Sequence, residues 1–78
     1  MMHLKALILS GEIKTFQDLF SYVTIEQVAF AMKCGVDHVK TIMNDNGKVY
    51  LKDVFELAEA LDMTTHKERG IVMDLWVD

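Results

Sequence analysis

The chain has 78 residues, is 51% hydrophobic and carries a formal net charge of −4. A domain of this length buries only about 60% of its unfolded surface, so a partner subunit would add stability, and the apolar excess reads equally as an oligomer interface or as a dense core. No apolar run approaches the roughly eighteen residues of a membrane span, Leu7-Ile8-Leu9 is too short for a secretory leader, and the lone Cys34 cannot form an internal disulfide, which together point to a soluble protein of the reducing cytoplasm.

The absence of Pro and the presence of only four Gly suit helices joined by short turns. Met1, Leu4, Leu7 and Ile8 form a first apolar stripe at helical spacing, ending near Ser10-Gly11. Phe16, Leu19, Phe20 and Val23 form a second, opened by Thr15 with Asp18 as an acidic variant of the capping box. Ile25, Val28, Ala29 and Met32 form a third, its start marked by the pair Thr24 and Gln27. After a break at Cys34-Gly35 come Val36, Val39, Ile42 and Met43, and then turn chemistry in Asn44-Asp45-Asn46-Gly47. Lys48-Val49-Tyr50-Leu51 has no strand partner and reads as a connection. Leu51, Val54, Phe55, Ala58 and Leu61 form a fifth stripe, and Thr65 with Glu68 opens a last helix carrying Ile71, Val72, Leu75 and Trp76. The expected fold is one all-α domain of five to six short helices over residues 1–78.

Charge is unevenly distributed. Residues 1–48 carry five Lys against five acids, whereas residues 49–78 carry three bases against seven acids. The window 33–52 has four Lys against two Asp, a locally basic stretch on an acidic body. Such a patch can bind a phosphate backbone with modest, salt-sensitive affinity.

The third and fourth stripes have the proportions of a helix-turn-helix. The first helix needs a small residue where the second crosses it, and Ala29 supplies one. The second helix needs branched apolar residues facing the first, and Val39 and Ile42 supply those. Val36, Asp37, Lys40, Thr41 and Asn44 then share the outward face.

The stretch VAFAMKCGVDHVKTIMND resembles the helix-turn-helix of λ-repressor-like (Cro/XRE-type) DNA-binding domains, as motif over residues 25–44 and as a domain over about 16–62. LKDVFELAEALDM resembles that family's next helix, usually L-x-x-I-A-x-A-L. The opening LKALILSGEIKTFQDLF is similar to small regulators of Bacteroides-like bacteria. The resemblance implies a compact λ-repressor-like domain with helix 36–44 in the major groove of double-stranded DNA. It implies that Lys33, Lys40 and Lys48 meet phosphates, that Lys40, Thr41 and Asn44 read bases, that Asp37 accepts from cytosine, and that Val36 touches a thymine methyl. The chain departs from the pattern in three ways, one being that Lys and Arg are sparse on helix 36–44. Lys33 stands where the family often has a left-handed Gly, a conformation that costs a non-Gly residue roughly 1–2 kcal/mol. Ile25 stands where the family often has a phosphate-binding Gln.

Other features have plain readings. Cys34 is expected as a small buried hydrophobe. His3, His38 and His66 lack metal-ligand spacing, and His38 is expected as a surface histidine. Glu56, Glu59 and Asp62 read as a solvated face. No catalytic constellation, cofactor site or small-molecule site is expected. Ile71, Val72, Leu75 and Trp76 either close the core over the first helix or form a homodimer face. The expected function is a sequence-specific DNA-binding transcriptional regulator, a repressor acting as a homodimer. The rival is a protein-interaction module with a degenerate helix-turn-helix, such as an antitoxin-like partner.

Overall fold

The computed structural model describes residues 3–77, and among them the chain is entirely helical. Five α-helices are linked through shorter 3-10 segments: α1 (His3–Ser10), a 3-10 segment Phe16–Ser21, α2 (Ile25–Met32), α3 (Val36–Asn44), a 3-10 turn Asn46–Lys48, α4 (Leu51–Ala60), α5 (His66–Met73) and a 3-10 turn Asp74–Trp76. Of residues 48–51 only Val49 and Tyr50 are a connection, since Lys48 ends the 3-10 turn and Leu51 begins α4, and Met1 of the first stripe lies outside the described residues.

Capping chemistry sets the starts. Thr15, Thr24 and Thr65 each accept the backbone N–H three residues on, and Asp18, Gln27 and Glu68 return the bond to the cap N–H. Each such cap contributes about 1 kcal/mol. The ends of α1, α2 and α4 follow a common scheme, with a left-handed residue after the last turn. Gly11 (φ 87°), Lys33 (φ 56°) and Asp62 (φ 57°) hold these positions. At each, the following N–H reaches back five residues: Glu12 to Leu7 O, Cys34 to Ala29 O, Met63 to Ala58 O. These are Schellman closures, two of them built on side chains that do not favour the conformation.

The core is one cluster to which every α-helix contributes, including Leu4, Val28, Ala29, Met32, Val39, Ile42, Leu57, Ala58 and Val72. Phe16 sits inside it, edge-on to Phe20 and stacked on Trp76 with centroids 4.7 Å apart. Val72, Leu75 and Trp76 are buried in this same core, with Ile71 packed against its edge. Of the two readings of that stripe, core closure is the one this burial fits, with Trp76 stacked on Phe16 of the 3-10 segment.

The fifth stripe is rotated from its expected position. Val54, Ala58 and Leu61 point inward together with Leu57, but Leu51 and Phe55 remain 56% and 41% exposed. They lie at the boundary of the apolar arc, where α5 covers α4 only in part. Ile13 and Met63 are core residues contributed by turns, outside any helical stripe.

Candidate nucleic-acid interface

A three-residue turn, Lys33–Gly35, sets α3 across α2. Ala29 is buried at the crossing, and Val39 and Ile42 are fully buried beneath α3. The opposite face carries Asp37, Lys40, Thr41 and Asn44, all exposed, while Val36 is half-buried against the core. The structure therefore brings four of the five expected reading residues onto one open face. Thr41 Oγ1 donates to Asp37 O at 3.0 Å, which occupies its proton and leaves the hydroxyl free to accept. Gly35 caps α3 without a side-chain hydrogen bond.

The three expected phosphate anchors differ. Lys40 and Lys48 are exposed and make no ion pair among the described residues. Lys33 is exposed too, but its Nζ lies 3.6 Å from Glu56 Oε2. Glu56 is half-buried, and this oxygen is covered without a hydrogen-bond donor. Glu56 is thus not part of a solvated acidic face, as expected from spacing; it draws Lys33 toward α4.

His38 also departs from expectation. Its Nε2–H donates to Asp53 Oδ2 at 2.8 Å, and its ring stacks on Tyr50 with centroids 5.8 Å apart and planes 7° off parallel. The same Asp53 oxygen accepts the Tyr50 N–H at 2.9 Å at the start of α4. Asp53 is only 5% exposed and is the one buried charged side chain among the described residues. The hydrogen bonds resolve the cost of that burial. At the far end of α3, Gln17 Nε2 donates to Met43 O from the Phe16–Ser21 segment. α3 is therefore tied at its N-terminal turn to Tyr50 and Asp53 and at its C-terminal turn to the Phe16–Ser21 segment. Gln17 and Asp53 gave no motif signal, because a Tyr cap does not announce a helix start and Gln17 acts across the fold.

Cys34 is half-buried, and burial, reinforced by the negative Asp53, pushes its thiol up from the ordinary value. A neutral thiol is a poor nucleophile. Among the described residues no group of three metal-ligating side chains comes together, and no helix is long and apolar enough to cross a membrane.

Two open apolar grooves lie elsewhere. One, of about 540 Å³, runs beside Phe30 with Val23, Ala31, Ala60 and the acidic Glu26 on its walls. Phe30 itself is 87% exposed. The other, of about 340 Å³, lies between α4 and α5. No family model, no curated protein and no solved structure matches the chain.

Proposed function

We propose that this protein is a sequence-specific DNA-binding regulator of the λ-repressor-like kind, inserting α3 into the major groove and repressing by occupying its site. The observation that carries the reading is the row Asp37, Lys40, Thr41 and Asn44, open to solvent on a helix tied to other elements at both ends. A rigid helix with an unoccupied polar face is what base readout requires. Lys40 pairs with guanine or phosphate, Asn44 with adenine, and Asp37 with the cytosine amino group. The uncapped first turn of α3 offers backbone N–H groups to a phosphate oxygen. As a homodimer the protein would set two such helices about 34 Å apart on a palindromic site.

The test is selection from a random duplex library at about 50 and about 200 mM salt. Enrichment of a defined motif that persists at the higher salt supports the proposal. Enrichment of nothing at either salt rejects it.

The exposed Phe30 and its groove favour the second reading, a protein-interaction module. In that case Phe30→Ser abolishes partner capture, whereas α3 substitutions leave it intact.

A further inference from the structure

We propose that the outer face of α5, with the adjoining edge of α4, pairs with the same face of a second copy of this chain in an antiparallel dimer whose two-fold axis passes at Gly70.

The groove between α4 and α5 is lined by Leu51, Phe55, His66, Arg69, Gly70 and Met73. Leu51, Phe55 and Met73 are 56%, 41% and 41% exposed, a run of large apolar side chains along one edge of a small domain. Gly70 lies in the middle of α5, exposed, and a Cβ built on it meets nothing within 4 Å. The fold itself has no need of glycine there, and an exposed helical glycine is disfavoured relative to alanine. A second helix crossing at that point supplies the need, because the missing side chain lets two backbones approach closely.

The charge order of α5 selects the occupant. His66, Lys67 and Arg69 occupy its first part, and Asp74 follows its last residue. Glu68, the acid within the basic part, is turned inward to Lys5, with Nζ to Oε2 at 3.1 Å. An axis at Gly70 places residue 66 opposite residue 74 of the copy, and residue 67 opposite residue 73. The pairing is then self-complementary. The His66 and Lys67 end meets Asp74, and the Lys67 methylenes cover Met73, twice over by symmetry. A parallel arrangement would instead set the two basic ends together. Arg69 is already fixed over the Phe55 ring at 4.8 Å, which prepares the rim of the groove. An acidic peptide would satisfy Arg69 but would use neither Gly70 nor Asp74.

A standard interface of about 800 Å² per copy would take about a sixth of the chain's 4745 Å² surface. This pairing does not rest on DNA binding and is measured without DNA. Sedimentation equilibrium of the whole chain between about 5 and 500 µM should give a monomer–dimer equilibrium. Met73→Glu should weaken it about tenfold or more with unchanged helical circular dichroism. Gly70→Ala should raise the thermal midpoint of the dilute monomer while weakening association, a split that a merely structural glycine would not give. In a Cys34→Ala background, Gly70→Cys should form a disulfide-linked dimer on mild oxidation, because residues on the axis fall within the roughly 7 Å Cα reach of a disulfide. Phe30→Cys in the same background should not. A chain that stays monomeric throughout, or binds an acidic peptide in this groove as a monomer, overturns the proposal. So does a dimer that tolerates Met73→Glu but is lost in Phe30→Glu.

Discussion

His38 on α3 and Asp53 on α4 share a 2.8 Å hydrogen bond to the same carboxylate oxygen that accepts the Tyr50 N–H. One buried carboxylate thus starts α4 and aligns α3. Asp53→Ala removes an acceptor from two donors at once and should destabilise the fold by about 2 kcal/mol. His38→Ala should cost less, since its ring is partly exposed. The two losses should fall short of additive in a urea-denaturation double-mutant cycle. Additive losses would mean that the two side chains act independently.

The left-handed Asp62 closes α4 at φ 57°. Its side chain makes no hydrogen bond among the described residues, while its carbonyl accepts from Lys5 Nζ at 3.1 Å. Asp62→Gly keeps that carbonyl and relieves the backbone. The relief of roughly 1–2 kcal/mol exceeds the added unfolded-state entropy of about 0.4–1 kcal/mol. A net gain of about 0.5–1 kcal/mol should raise the thermal midpoint by a few degrees. An unchanged or lower midpoint in differential scanning calorimetry would show the position to be unstrained.

Acid should loosen the helix starts. The Lys14 and Thr15 N–H groups hold the Asp18 carboxyl below its ordinary 3.8, and Lys5, then Thr65, hold Glu68 below its ordinary 4.5. Both folded values are depressed, so the unfolded chain takes up these protons first. The stabilisation is complete above the ordinary carboxylate range and is lost as pH falls through the folded values. The thermal midpoint should therefore drop on acidification, and Asp18→Asn with Glu68→Gln should flatten that drop while lowering the midpoint at neutral pH.

Lys40 stands exposed on the outward face of α3 without an ion pair among the described residues. If it meets a phosphate, Lys40→Ala should weaken DNA binding and reduce the slope of log affinity against log salt by about one unit. Asn44→Ala should instead relax the preference at one base pair and leave the slope unchanged. A Lys40→Ala protein that binds every duplex as the parent does removes Lys40 from the interface.

The local signals in the sequence proved the most informative. The Thr15, Thr24 and Thr65 boxes follow from rules that act within a few residues, and the small Ala29 at the crossing and inward Val39 and Ile42 from the geometry of a helix-turn-helix, while a left-handed residue at Lys33 was implied only by the family resemblance. What spacing left open was tertiary. It could not say which edge of the 51–61 arc faces inward, because Leu51 and Phe55 are as apolar as Leu57. It offered two destinations for the Trp76 stripe, since a helix face carries no label for its partner. His38 looked like a surface residue because Asp53, which holds it, lies on the next helix. Whether the outward face of α3 reads DNA depends on a partner that the chain's own packing does not contain.

The stack of Trp76 on Phe16 joins the two ends of the described fold. A contact between residues so far apart in sequence adds nothing to any single helix, so it forms only when the whole core assembles. Loss of the Trp76 ring should therefore be felt by every helix at once, and the domain should unfold as one unit rather than shed its last turn.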